Sequence, residues 1–331
     1  MSDPIRTERV VGDPGQAPSV ASAPVRRHGL PWGGLAVAAL LCLLLYYPIG
    51  MLIVHKVDDD ASFAAPEAER VEGGSRAVDI AAALIDREAG RGHWAANDPF
   101  FLPGSALDNM PSFQQGILRS LARFAFELTD QIARARGSSQ TDKDLQEAAG
   151  LLQYSGTKWI FDLRVSLAPT ATSEAQYRAA RKALLRYNIR LAKGEAVFER
   201  RADNLLAAID RIALDLGSTS AALDEATRRG GGWFDFEADD VFYGIKGQLY
   251  AYHLVLRELG LDYGNIMKEK ELGATWAQML DSLRRGAELD PLVVVNGAPD
   301  SLLLPSHLAV QGFFLLRART QLREITNILL K

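Results

Sequence analysis

Residues 30–54 read LPWGGLAVAALLCLLLYYPIGMLIV, twenty-five positions without a charge. As a helix rising about 1.5 Å per residue the stretch reaches about 37 Å, enough to cross a hydrocarbon core of roughly 30 Å with some tilt. Its eight Leu, two Ile and two Val favour insertion by roughly 4–7 kcal/mol. A core helix of a water-soluble domain carries polar residues along one face, and this stretch has no such face. The lipid bilayer is therefore the expected partner of residues 30–54. Trp32 near one end and Tyr46–Tyr47 toward the other suit the interfacial zones. Pro48 is tolerable in lipid where neighbouring groups satisfy the carbonyl it frees. Cys42 reads as a small apolar filler.

The flanks set the orientation. Arg26 and Arg27 precede the span, whereas Lys56 and then Asp58, Asp59 and Asp60 follow it. The side richer in Lys and Arg stays in the cytoplasm. That puts the N-terminus inside and everything beyond about residue 55 across the membrane, in the periplasm of a bacterium. A cleaved signal peptide is the rival, with Ser62-Phe63-Ala64 as a small-x-small site. Its apolar region would normally be about 7–15 residues, and the site lies beyond three aspartates. An uncleaved signal anchor in the inner membrane is the expectation.

The remaining composition excludes several classes. The 331 residues are 48% hydrophobic and 24% charged, an ordinary globular balance. A formal net charge of −4 offers no positive excess for nucleic acid. A single cysteine leaves no intrachain disulfide and no Cys-based zinc site. No cofactor motif and no clustered metal-ligand spacing occurs, and Gly230-Gly231-Gly232 lacks the strand before it and the Gly-Lys-Ser/Thr after it that a phosphate loop needs.

Four regions follow: a disordered cytoplasmic tail over 1–29, the transmembrane helix over 30–54, a linker over 55–75 ending in Gly73-Gly74-Ser75, and a helical periplasmic domain over 76–331. Within the domain, residues 76–90 predict a short amphipathic helix stopped by Gly90. Residues 97–111 hold three prolines and predict an irregular aromatic loop. Ser112 with Gln115 predicts a helix start, and that helix runs to Arg136. Thr141 caps the next. Further helices are expected over 238–259, 270–289 and 306–330, the last capped by Ser306. In KWIFDLRVSL, Trp159, Phe161, Leu163, Val165 and Leu167 alternate with polar residues, which predicts a strand over 158–167. It needs a partner, and Leu292–Val295 and Leu302–Leu304 are the expected ones, forming a small β-sheet. Residues 173–229 carry the longest helical pattern. Ser173 and Gln176 make a second capping box, and Tyr177, Ala180, Leu184, Tyr187, Leu191, Gly194, Phe198, Ala202, Leu205, Ile209, Ile212 and Leu216 form a heptad seam with one stutter. It reads as a long antiparallel hairpin or bundle helix buried by its own chain, or as a coiled coil between two copies, with Gly217-Ser218 a candidate break before residues 219–229.

The fold class expected is thus mainly α: one N-terminal transmembrane helix and a bundle-like extracytoplasmic domain with a long heptad-patterned helix and a small sheet. Candidate chemistry is sparse. His307, with Asp300 and Asp108, is the least weak set for catalysis, but nearness in sequence is not triad geometry and no nucleophile elbow is present. His253 lies in an apolar helix stretch and reads as a core histidine. His93 with Asn97, Asp98 and Asp108 would make a poor metal set. Trp233, Phe234 and Phe236 form an aromatic-acidic loop suited to a partner. Phe100 and Phe101 form a second such loop, which alternatively lies against the membrane surface.

The runs FFLPGSALDNMPSFQQG, RARGSSQTDKDL, YRAARKALLRYNIRLAKGEAVFERRADNLLAAIDRIALDLGSTSA, VFYGIKGQLYAYH and VVNGAPDSLLLPSHLAVQGFFLLRARTQL together resemble a family of bacterial inner-membrane proteins. It is a domain of unknown function, number two-three-three-three. The resemblance covers roughly residues 30–331 and implies one N-terminal span and a helical periplasmic domain. It carries no catalytic residues. The first functional expectation is a non-enzymatic envelope protein that binds or scaffolds another envelope protein or a second copy of itself. The others are an enzyme acting on an envelope substrate, and an accessory subunit packing through Gly33-Gly34 and Ala36–Ala39 of its span.

Overall fold

The computed structural model describes residues 32–132, 141–161, 168–229, 236–297 and 305–331. The expected tail over 1–29, the triglycine, residues 162–167, Leu302–Leu304, Asp300, Trp233, Phe234 and the side chain of Phe236 lie outside the described residues. The fold is mainly helical, with no strand among the described residues. The first helix, α1 (Trp32–Val54), runs on through Pro48. Its most apolar window has a mean hydropathy of 2.4 and is 0% buried, and the helix is long and apolar enough to cross a membrane. Two compact units divide within it, one ending at Leu44 and one running from Leu45 to Lys331.

The body is built around two largely buried helices. In α2 (Arg76–Ile85) every residue from Ala77 to Ile85 is buried. Four alanines keep it thin enough to lie between its neighbours. Ser75 caps it, its side chain accepting from Val78 N–H, and the Asp262 carboxylate accepts from the N–H groups of Arg76 and Ala77. Those are the donors a helix start leaves unsatisfied. The second buried helix is α7 (Phe236–Asp262), which packs on α2 and on α3 (Asn109–Glu127). The α3–α7 crossing is backbone on backbone. A Cβ at Gly116 would fall 2.1 Å from the Gly244 carbonyl, and one at Gly247 would fall 2.0 Å from the Phe113 carbonyl.

The other helices complete the bundle. α4 (Lys143–Leu152) packs on α5 (Ser173–Ala192), which also covers α2. α6 (Ala202–Arg229) lies on α10 (His307–Leu329), with the short α8 (Gly264–Glu269) leading into α9 (Gly273–Ala287) between α7 and α10.

Several expectations are corrected here. Residues 173–229 form two helices, α5 and α6, and the chain divides at Gly194 rather than at Gly217-Ser218, through which α6 runs unbroken. Gly194, at φ +76°, ends α5 with Gly194 N–H bonded to the Leu191 carbonyl and Glu195 N–H to the Arg190 carbonyl. That is a Schellman stop, available because glycine adopts the left-handed conformation without strain. Both halves of the seam are buried within this chain, at Tyr177, Ala180, Leu184 and Tyr187 and at Leu205, Ile209, Ile212 and Leu216. The expected sheet is not seen among the described residues. Lys158 and Ile160 carbonyls accept from the N–H groups of Ser173 and Thr170, on the chain's own return. Closing that short loop costs less than pairing across more than a hundred residues. Near the other end a single antiparallel bridge joins Asn296 and Ser306. Asp108, Asp142 and Thr172 cap α3, α4 and α5 in place of Ser112, Thr141 and Ser173. Ser306 caps α10, accepting from Ala309 N–H. After Glu127, α3 gives way to a wide π-turn over Leu128–Ile132.

The segment expected to be a linker is fastened to the body. Asp58 lies 3.4 Å from Arg87, Asp59 2.6 Å from Lys246, and the Asp60 carbonyl accepts from the Tyr250 hydroxyl. Arg257 donates to the carbonyls of Ala61 and Phe63. Lys246 is 0% exposed and also donates to the Leu289 carbonyl, so the acidic strap covers its ammonium group completely.

Candidate functional site

Two surfaces stand out. The first is a groove of about 550 Å³ between α3, α6 and α7. α3 contributes Arg119, Ala122, Arg123 and Phe126, which share one face because three- and four-residue steps align on a helix. α6 supplies Asp215, Ser218, Thr219 and Ala222, and α7 supplies Gln248.

The floor is tied together. The Asp215 carboxylate accepts from the Tyr252 hydroxyl at 2.6 Å and from Gln248 Nε2 at 2.8 Å, while Thr219 donates to Gln248 Oε1 at 2.8 Å. Burial and the adjacent Asp215 push the Tyr252 hydroxyl far above the usual tyrosine range, so it stays a donor. Arg123 is held loosely, 3.8 Å from Asp215 and 3.6 Å from Glu127. Glu127 is 1% exposed; burial raises its pKa, and the nearby Arg211 and Arg123 pull it down. Arg119 is exposed and makes no ion pair among the described residues. Chemically, then, the groove offers the exposed guanidinium of Arg119 beside that of Arg123, which faces the Asp215 carboxylate, and guanidinium groups are the side chains best suited to a carboxylate or phosphate group. Its one serine, Ser218, bonds back to the Leu214 carbonyl of its own helix.

The second surface is an aromatic lip. Phe100 and Phe101 stack edge to face, Phe101 meets Trp159 at 5.7 Å, and Trp159 meets Phe161 at 5.7 Å. Phe100 is 83% exposed, and Ile160 and Phe161 are exposed as well. The lip adjoins the end of α1: Tyr46 donates to the Phe101 carbonyl and Tyr47 to the Phe100 carbonyl. Gly50 lies so close to Pro103 that a Cβ there would meet the proline ring at 2.2 Å.

The residues singled out for catalysis do not form a catalytic arrangement. His307 Nδ1 accepts from the Val295 N–H at 2.9 Å, and burial lowers its pKa. That bond fixes the turn before α10. No hydrogen bond joins it to Asp108. Asp108 caps α3 and stands near Asp239 and Asp240. Burial, then Asp108 and Asp240, push the Asp239 carboxyl up to about 6. Asp240 accepts from Ser112 at 2.9 Å. His253 bonds the Leu280 carbonyl, as a core histidine does. His93 pairs with Asp98 at 2.6 Å, and no group of three metal-ligating side chains occurs among the described residues. The groove was not foreseen. Its only signal in the sequence is Arg119 and Arg123, four apart beside an apolar stripe in QGILRSLARFAF, a pattern shared by any solvated helix face.

The family described as "Uncharacterized protein conserved in bacteria (DUF2333)" matches residues 57–231. No curated protein and no solved structure matches the chain.

Proposed function

The chain belongs to this uncharacterized family conserved in bacteria, and on that premise we propose that it is a single-pass membrane-anchored protein of the bacterial envelope. Its body binds an acidic group of another envelope component through the Arg119–Arg123 groove. The observation that carries the anchor is the contrast between α1 and every other long helix. The body's helices bury their apolar side chains in a common core, whereas the apolar window of α1 is 0% buried. So long an unpartnered apolar surface is stable only in lipid. Arg26 and Arg27 ahead of the span favour a cytoplasmic N-terminus and a periplasmic body. The binding role rests on a concave surface whose lining carries Arg119 and Arg123 against the single acid Asp215.

Two measurements test this reading. A phosphatase active only outside the cytoplasm, fused after Lys331, is expected to be active, and a fluorescent protein that matures only in the cytoplasm is expected to stay dark there. A photo-crosslinking residue at Ala222, in the groove, is expected to capture an envelope component in intact cells, and Arg119→Glu to abolish the capture. Reporters that light up only in the cytosol contradict the orientation. Capture that survives Arg119→Glu contradicts the groove.

A further inference from the structure

We infer that the aromatic lip is a second membrane contact: Phe100, Phe101 and the neighbouring Trp159, Ile160 and Phe161 lie in the headgroup and upper acyl layer of the same bilayer that α1 spans. The inference rests on the anchor reading and adds that the body sits on the bilayer rather than above it.

Three observations carry it. The first is depth. A hydrocarbon core of roughly 30 Å takes about 20 helical residues. Counted from Trp32, that length ends near Met51, so Tyr46 and Tyr47 stand about one turn inside the boundary. Their hydroxyls bond the carbonyls of Phe101 and Phe100, and Gly50 abuts Pro103. The lip is thereby tied to the level of the helix where aromatic belts form.

The second is backbone satisfaction. An irregular loop enters a membrane only where its polar groups find partners inside the protein. Between Pro99 and Leu107 the carbonyls of Pro99, Phe100, Phe101, Leu102 and Gly104 all accept hydrogen bonds, from Leu102, Tyr47, Tyr46, Ser105 and Leu107 respectively. Pro99 and Pro103 have no N–H to satisfy. The N–H groups of Phe100 and Phe101 make no hydrogen bond to the described residues, which places the tip at the hydrated headgroup level rather than deeper.

The third is composition at the tip. No residue from Pro99 to Leu107 carries a charge. The flanking Asp98 is withdrawn from the surface, its side chain 6% exposed and paired with His93. Phe100 at 83% exposure is the most exposed aromatic side chain among the described residues. The strap holding Asp58, Asp59 and Asp60 to Arg87, Lys246 and Tyr250 keeps the body from swinging away from the helix end.

The native chain has one cysteine, Cys42, inside the span, which makes the test direct. The full chain is reconstituted in vesicles of phosphatidylethanolamine and phosphatidylglycerol with an environment-sensitive fluorophore on a single cysteine. That cysteine is either Cys42 itself or, on a Cys42→Ala background, Phe100→Cys or Ala106→Cys. The Phe100 probe is expected to emit at shorter wavelength than in water and to be quenched more by lipids spin-labelled near the headgroup than by lipids labelled deep in the chain. The Ala106 probe on the same loop is expected to follow it, whereas the Cys42 probe is quenched by the deep label. A water-like spectrum at both loop sites, unquenched by either lipid while Cys42 is quenched, overturns the lip and leaves the anchor standing. An unquenched Cys42 probe on protein that floats free of vesicles removes the anchor, and the lip with it.

Discussion

Single residues in this chain hold charge where the solvent does not reach it. Lys246 is fully buried and depends on Asp59 and the Leu289 carbonyl. Lys246→Met keeps the volume but strands Asp59 and that carbonyl, and is expected to cost about 3 kcal/mol by denaturant unfolding. Asp239 is the opposite case. Its carboxyl is pushed up to about 6 by burial and by Asp108 and Asp240, so the folded state holds that proton more tightly than the unfolded chain, where the reference value is 3.8. Its effect on stability is most favourable below about pH 4 and is lost as the pH rises through 6. Asp239→Asn is therefore expected to raise the Tm at pH 7.5 and to lose that advantage at pH 4. An equal shift at both pH values contradicts the assignment. Little of this was legible in the sequence. Asp58, Asp59 and Asp60 read as a solvated acidic linker, because nothing local to them reveals that Arg87, Lys246 and Tyr250 come to meet them from about 30 and 190 residues away.

At the scale of elements, sequence patterns located helices well and connections poorly. The apolar period marked the buried faces of α5 and α6, but it ran across Lys193-Gly194 without showing the stop that glycine makes there. Periodicity reports which face is buried; only the backbone's turn chemistry reports where a helix ends. Caps slipped for a related reason: Asp108, Asp142 and Thr172 compete with equally good neighbours one to four positions away. The strand expected over 158–167 rested on alternation alone, and in Trp159, Ile160 and Phe161 the apolar side chains belong to a surface lip. The α3–α7 crossing gives this scale its prediction. Gly116→Ala and Gly247→Ala each drive a methyl into a backbone carbonyl of the facing helix, and each is expected to cost about 3 kcal/mol in urea unfolding. Because one small separation of the helices relieves both clashes, the double variant is expected to cost less than the sum. Strict additivity contradicts a shared contact.

For the molecule as a whole, the parts converge on a body tied to the C-terminal end of the apolar helix α1. Asp59, Asp60, Ala61 and Phe63 are clamped to α7, so the hydrogen-bonded amides of Asp60, Ser62 and Phe63 are expected to exchange more slowly than those of a free linker, and Lys246→Met is expected to release them selectively. Exchange as fast as in a free linker in the native protein contradicts the clamp. The apolar helix was the part most legible from sequence, since twenty-five uncharged residues are a signal independent of anything else in the chain. The groove was the least legible, because three helices distant in sequence assemble it.

α1 is expected to remain in the bilayer as part of the working protein. The most direct measurement is to wash membranes from cells making the full chain in alkaline carbonate, then determine the intact mass of the protein in each fraction. Protein retained in the pellet, with residues 30–54 still attached, is the result expected. A soluble species that begins beyond Val54 would contradict it.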